Sequence, residues 1–190
     1  MIPDGVLATV DHSAPFLPPR DAYPQALVDF ELGGVGISDA SQGLMKKGWR
    51  CQWVDGDFVL DAAGVSPTVV YSRDNVQELS FTFDQNMKPF LTWVDDAGAF
   101  YRWYDATVPG YQVIALPSGV VSPKCSLDDK RFLQGSISDI LLTYVRAGSL
   151  YYLQQRDRFD TEYLLKADVS GYIRRFGMNT QLSMQWEMGN

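Results

Sequence analysis

One histidine and two cysteines are all that 190 residues supply of the side chains most used in nucleophilic and metal chemistry. His12 stands among prolines, so a Ser–His–Asp or Cys–His device has no base held in a rigid scaffold. Zinc needs several Cys or His ligands at close spacing, and they are missing. No phosphate loop is present either, because Gly33-Gly34-Val35-Gly36 is not followed by the required Gly or Lys. Two cysteines make no disulfide framework. Cys51 and Cys125 fall in predicted strands, where a buried small apolar role is expected. No run approaches the ~18 apolar residues of a membrane span. Met1-Ile2-Pro3-Asp4 lacks the basic-then-apolar layout of a signal peptide, so synthesis in a reducing cytoplasm is expected.

Positive charge is scarce. The net charge is −7, and residues 1–110 hold 7 Lys/Arg against 15 Asp/Glu, whereas residues 111–190 hold 9 against 8. Binding to duplex nucleic acid needs a basic face, so that class of partner is not expected. The cluster Arg156, Arg158, Lys166, Arg174 and Arg175 is interleaved with acids and reads as a solvated or inter-subunit face. The acidic pairs Asp95-Asp96 and Asp128-Asp129 invite comparison with glycosidase carboxylates. Adjacent strand residues point to opposite faces, however, and Asp at hairpin and loop positions is a turn former. EF-hand spacing for Ca²⁺ is missing. The expectation is a protein without catalytic residues, metal or cofactor.

What the chain has is internal repetition. Leu91-Thr92-Trp93-Val94 followed by Ala97-Gly98-Ala99-Phe100-Tyr101 returns as Leu142-Thr143-Tyr144-Val145 followed by Ala147-Gly148-Ser149-Leu150-Tyr151. One extra residue in the first copy moves the offset from 51 (142 − 91) to 50 (148 − 98). Each copy reads as a hairpin: apolar residues alternate with Thr, as in a half-buried strand, and a Gly supplies the turn. Upstream, the strand ending at Asp84 is matched by the one ending at Asp128. Val113–Leu116 and Tyr163–Leu165 follow as fourth strands. Four short antiparallel strands per ~45–50 residues is the size of a propeller blade.

The fold class expected is therefore all-β, with blade-like units at about 76–116 and 121–166 and half-units at 46–70 and 169–188. In the first half-unit, Asp55-Gly56 between two apolar runs predicts a type I′ hairpin. So few blades leave three readings: terminal halves that combine into one blade, a sandwich, or association of copies to cover open edges, the last preferred.

Residues 1–45 differ in kind. Five of the ten prolines, Pro3, Pro15, Pro18, Pro19 and Pro24, exclude a regular helix or central strand there. The same segment carries Phe16, Leu17, Leu27, Val28, Phe30 and Leu32, which makes it an extended docking arm with apolar anchors. It precedes a β domain at 46–190. Aromatic residues reach 13%, including Trp93, Tyr101, Trp103, Tyr104, Tyr144, Tyr151 and Tyr152. Packing in a core and at subunit contacts is their expected role, with stacking on sugars as the competing one.

Several stretches together resemble a family of tailed-bacteriophage structural proteins. They are Gly36-Ile37-Ser38-Asp39-Ala40-Ser41-Gln42-Gly43-Leu44 with Trp49 and Val54-Asp55-Gly56-Asp57, then Leu79-Ser80-Phe81-Thr82-Phe83-Asp84-Gln85-Asn86, and Ser126-Leu127-Asp128-Asp129-Lys130-Arg131. Ser138-Asp139-Ile140-Leu141-Leu142-Thr143-Tyr144-Val145-Arg146 and the closing Arg174-Arg175-Phe176-Gly177-Met178-Asn179 add to the likeness. Its most distinctive piece is Gln154-Gln155-Arg156-Asp157-Arg158-Phe159. The likeness covers roughly residues 30–188 and brings no catalytic or ligand residues with it. It implies a virion protein of the tail tip, nozzle or fibre-attachment region. Such a protein is made in the host bacterial cytoplasm, assembles in several copies and contacts adaptor, nozzle or fibre proteins. A carbohydrate-binding module recognising host surface glycans is the alternative.

Overall fold

The computed structural model describes residues 30–37, 46–62, 65–84, 86, 88–128, 139–178 and 184–189. They form fourteen antiparallel strands and no α-helix, so the protein is all-β. The first sheet is a meander of β1 (Phe30–Ile37), β2 (Lys46–Val54), β3 (Asp57–Ala62) and β4 (Val65–Ser72). The second joins β5 (Glu78–Phe83), β6 (Pro89–Asp95), β7 (Gly98–Asp105) and β8 (Gly110–Ala115) in the same order. The third repeats the pattern with β9 (Val120–Leu127), β10 (Ile140–Arg146), β11 (Ser149–Gln154) and β12 (Tyr163–Lys166). A two-stranded ribbon, β13 (Tyr172–Met178) and β14 (Met184–Gly189), ends the described chain.

The first strands of successive sheets are neighbours in chain order: β1 lies by β5, β5 by β9, and β9 by β13. No sheet among the described strands closes on itself. The first unit differs from expectation. Residues 30–37, read as part of the arm, form β1 and pair with β2 from Phe30 opposite Gln52 to Ile37 opposite Lys46. What read as a half-unit is a full four-stranded sheet. Gly33 and Gly34 give the reason they looked like loop: the register slips between Gly33 and Val35, a bulge that glycines accommodate.

The second sheet packs one face on the first sheet and the other on the third, and the third sheet packs its other face on the ribbon. In β7, Ala99, Tyr101 and Trp103 join a core with Ile140, Leu142, Tyr144 and Leu153 of the third sheet. Phe100, between them, packs towards the first sheet with Leu79, Phe81, Leu91, Trp93, Cys51 and Phe58. A third cluster, Val145, Leu150 and Ile173, joins the third sheet to the ribbon. The doubled Leu-Thr-(Trp/Tyr)-Val strands are thus buried on both faces, not half-buried as their alternation predicts. Thr92 and Thr143 are both fully inaccessible. Each hydroxyl donates to a carbonyl of the next strand, Thr92 Oγ1 to Phe100 O at 2.8 Å and Thr143 Oγ1 to Tyr151 O at 2.7 Å. A satisfied hydroxyl can stand where a wholly apolar side chain would be expected, because burial is costly only for an unbonded one.

The turns keep the two copies in step, contrary to the slip read from the sequence. Asp95 pairs with Gly98 and Arg146 with Ser149, each across two residues, so the offset is 51 on both sides (146 − 95 and 149 − 98) and Gly98 matches Ser149, not Gly148. Val54 pairs with Asp57 across Asp55 and Gly56, both at positive φ (51° and 90°), as a type I′ turn requires. Ala147 and Gly148 repeat this at 48° and 70°. In the first copy the turn has the same length but another conformation: Asp95 Oδ1 accepts the Ala97 N–H at 2.8 Å, and positive φ falls on Gly98, the residue paired with Asp95.

Candidate functional site

Gln154–Phe159, the most distinctive stretch of the sequence, is the clip between the second and third sheets. Gln155–Asp157 makes one 3₁₀ turn, and then Arg158 and Phe159 both take φ of 61°. Consecutive left-handed non-glycine residues are sterically costly and persist only where tertiary contacts over-determine them. Here they do. The Phe159 ring lies 5.3 Å from Phe90, 5.2 Å from Tyr101 and 5.2 Å from Trp103. Arg158 Nη2 reaches Asp105 Oδ2 at 2.6 Å, and its Nη1 donates to the Thr107 hydroxyl. Arg156 Nε donates to Asp139 Oδ2 at 2.7 Å, while the Gln155 side-chain oxygen accepts the Ile140 N–H at 3.2 Å. Every charged partner of the clip sits at the end of a strand or beside one, so the turn ties strand ends of two sheets together.

Buried aspartates close the strands. Asp84 Oδ1 accepts the N–H groups of Asn86 and Lys88, each at 2.8 Å, and Asp128 Oδ1 accepts that of Asp139 at 2.7 Å. Asp95 Oδ2 takes the Arg73 guanidinium at 2.7 Å and the Trp93 indole N–H at 3.0 Å. Turn and strand-end chemistry accounts for Asp95 and Asp128; Asp129 lies outside the described residues. Burial pushes the Asp95 carboxyl up, but Arg73, the Ala97 N–H and Trp93 outweigh it and hold the pKa below the ordinary 3.8. The Thr107 hydroxyl and Arg158 hold Asp105 low as well. Asp84 goes the other way, raised chiefly by desolvation.

The pH dependence follows from these signs. A carboxyl depressed in the folded state stabilises it above the unfolded value and loses that contribution as pH falls through the folded one. Asp84, with a raised value, has the opposite and partly offsetting sign. Melting temperature is therefore expected to be level near neutrality and to fall below about pH 4. Asp95→Asn is expected to flatten that acid limb in a series of thermal melts. An unchanged limb would mean that the Arg73–Asp95 pair does not govern it.

The outer strand β8 is unlike the other sheet margins. Tyr111, Val113 and Ile114 are exposed on it, and Val108 precedes them in the turn. Tyr111 is held in place rather than left loose. The Arg102 guanidinium lies 3.6 Å from its ring centroid and 5.3 Å from that of Tyr71 on β4, and Tyr104 packs edge-on to Tyr111 at 5.4 Å. Burial lowers the pKa of Arg102, and its Nη1 has no hydrogen-bond partner among the described residues. A rigid aromatic tip on an open strand margin is a surface suited to binding another chain.

The residues singled out in the sequence are distributed as follows. Of the arm anchors, Phe30 and Leu32 are in β1 opposite Gln52 and Arg50, whereas Phe16, Leu17, Leu27 and Val28 lie outside the described residues. Arg156 and Arg158 belong to the clip, and Arg174 pairs with Glu187 at 3.5 Å within the ribbon. Arg175 stands opposite Glu187 in the β13–β14 register. All four arginines are thus in intrachain structure, and they do not converge on one site. Trp93, Tyr101, Trp103 and Tyr144 are buried; Tyr104, Tyr151 and Tyr152 are half-buried. Cys51 and Cys125 are buried too. The fourth strand expected at Val113–Leu116 overlaps β8 (Gly110–Ala115), but its lack of charge and proline did not show that the strand is outermost. Among the described residues no helix is long and apolar enough to cross a membrane. No family model, no curated protein and no solved structure matches the chain.

Proposed function

We propose that this chain is a non-catalytic structural component of a bacteriophage tail, present in the virion in several copies. It docks onto adaptor, nozzle or fibre proteins through the residues ahead of β1 and through its strand margins. The observation that supports this reading most is the contrast between interior and margin. Strand-end carboxylates and the clip arginines bond within the chain, whereas the apolar side chains of β8 face outward. That is the distribution of a rigid part built to be covered by neighbours. The phage assignment itself rests on the likeness of residues 30–188, above all Gln154–Phe159, whose clip role gives a physical reason for a family to keep it.

Deletion of residues 1–29 leaves every described strand in place. The truncated chain is expected to fold, with an unchanged far-ultraviolet spectrum, but to be missing from tailed particles that incorporate the full chain. Truncated protein found in purified particles at full copy number would overturn the docking role. An antibody against the full chain that fails to mark any tailed particle would overturn the tail assignment.

A second reading, a carbohydrate-binding module, draws on Tyr111 and Tyr172, the exposed large aromatics among the described residues. Glycan binding by the purified chain that disappears in Tyr111→Ala would favour it over the structural role.

A further inference from the structure

We infer that β8 is a homodimerisation strand, which pairs antiparallel with β8 of a second copy about a two-fold axis near Val113. The inference goes beyond the tail assignment and does not depend on it, since it rests on the chemistry of one strand.

Sheet margins that stay open in a folded protein are normally blunted by proline, charge, bulges or short length, because an open ladder of N–H and C=O groups templates further pairing. The other outer strands of the two neighbouring sheets carry such devices. β4 contains Pro67, and its pairing with β3 slips register twice. β12 is four residues long, ends in Lys166 and is bulged against β11. β8 has none of them. Its sequence, Gly110-Tyr111-Gln112-Val113-Ile114-Ala115, has no charge and no proline, and it pairs with β7 in unbroken register from Gly110 to Ala115. Exposure reaches 37% at Tyr111, 44% at Val113 and 38% at Ile114.

A second copy is the occupant this strand fits. β8 carries no charged side chain, so pairing two copies along it sets no like charges of that strand against each other, and the net charge of −7 on each chain is left to screening by salt. A two-fold contact must also be complementary to itself. With the axis at Val113, that residue faces its own counterpart, Tyr111 faces Ala115 on each side, and Gln112 faces Ile114. Large thus meets small at both ends of the pair. The Arg102 stack fixes the Tyr111 ring before the partner arrives, which lowers the ordering cost of association. Joined this way, two second sheets form one continuous eight-stranded sheet with both β8 margins covered.

The test is sedimentation velocity of the full chain from about 1 to 100 µM, a span that brackets micromolar Kd values. Amide hydrogen exchange over residues 110–115 is followed at both ends of the range. The wild-type chain is expected to pass from monomer to dimer, with exchange at 110–115 slowing as concentration rises. Val113→Lys and, separately, Ile114→Lys are expected to raise the dimer Kd at least about tenfold while thermal melts stay near wild type, since a lysine on an open margin opposes pairing. A chain monomeric throughout overturns the inference, as does a dimer that persists in both variants. Slow exchange at 110–115 that is independent of concentration also overturns it, because a segment of the same chain would then cover the strand.

Discussion

Phe159→Ala is expected to destabilise the fold by about 3–5 kcal/mol, the range for deleting a buried aromatic side chain. The ring is 5% exposed and meets three aromatic rings of the second sheet, so nothing nearby can collapse into the space without moving strands. Whole domains are stable by about 5–15 kcal/mol, which makes this one side chain a large fraction of the total. Backbone conformation adds a sharper expectation. In an ordinary helix or strand, Gly is worse than Ala by roughly 0.5–1 kcal/mol. At φ of 61° the order should reverse, because Gly bears no Cβ penalty there. Urea unfolding of the two variants should rank Phe159→Gly as the more stable, by about 1 kcal/mol. The usual ranking would contradict the left-handed geometry of the clip.

Trp93→Ala should cost as much, at the other joint. Trp93 is fully buried; its ring is 5.6 Å from Phe58 and 5.3 Å from Tyr71 of the first sheet, and stacks on Phe100 at 5.6 Å. Truncation removes these contacts and also takes a donor from Asp95, a buried carboxylate that then relies on Arg73 and the Ala97 N–H. A loss of about 3–5 kcal/mol is expected. Trp93→Phe, which keeps much of the ring volume, should lose about 1–2 kcal/mol through the missing hydrogen bond. Far-ultraviolet circular dichroism is the appropriate probe, since the substitution removes a fluorophore. A cost for Trp93→Ala below about 1 kcal/mol would mean that the first two sheets are not joined through this residue.

Much of this architecture is legible in the sequence because hairpins are local. The matched Leu-Thr-(Trp/Tyr)-Val strands, Asp55-Gly56 and the glycines at 98 and 148 each encode a turn within a few residues, and the structure has hairpins at all three places. The first strand was hidden because its glycines describe a loop to any local reading. Only pairing with β2 makes Gly33-Gly34-Val35-Gly36 a strand. Burial of Thr92 and Thr143 was hidden for a related reason: a period of two reports side-chain polarity, and their hydroxyls are satisfied by carbonyls on the adjacent strand. Arg156 and Arg158 are exposed, but their ion pairs were hidden because the partners are distant in sequence. Arg158 and Asp105 are separated by 53 residues, and no periodicity links them. The exposed margin of β8 was legible only in part, since a neutral apolar strand does not reveal whether it is central or outermost.

Each sheet is a continuous stretch of chain, and each meets chiefly the one made before it and the one made after. Growth of the fold can therefore follow the direction of synthesis. As each later meander leaves the ribosome it finds the sheet made before it waiting, and long loops need not close before contacts reward them. The same arrangement gives the molecule a grain. Tension applied along the chain would detach it one sheet at a time from an end, the two-stranded ribbon yielding with the fewest bonds. A part placed where load arrives would then give way in steps, with the inner sheets the last to separate.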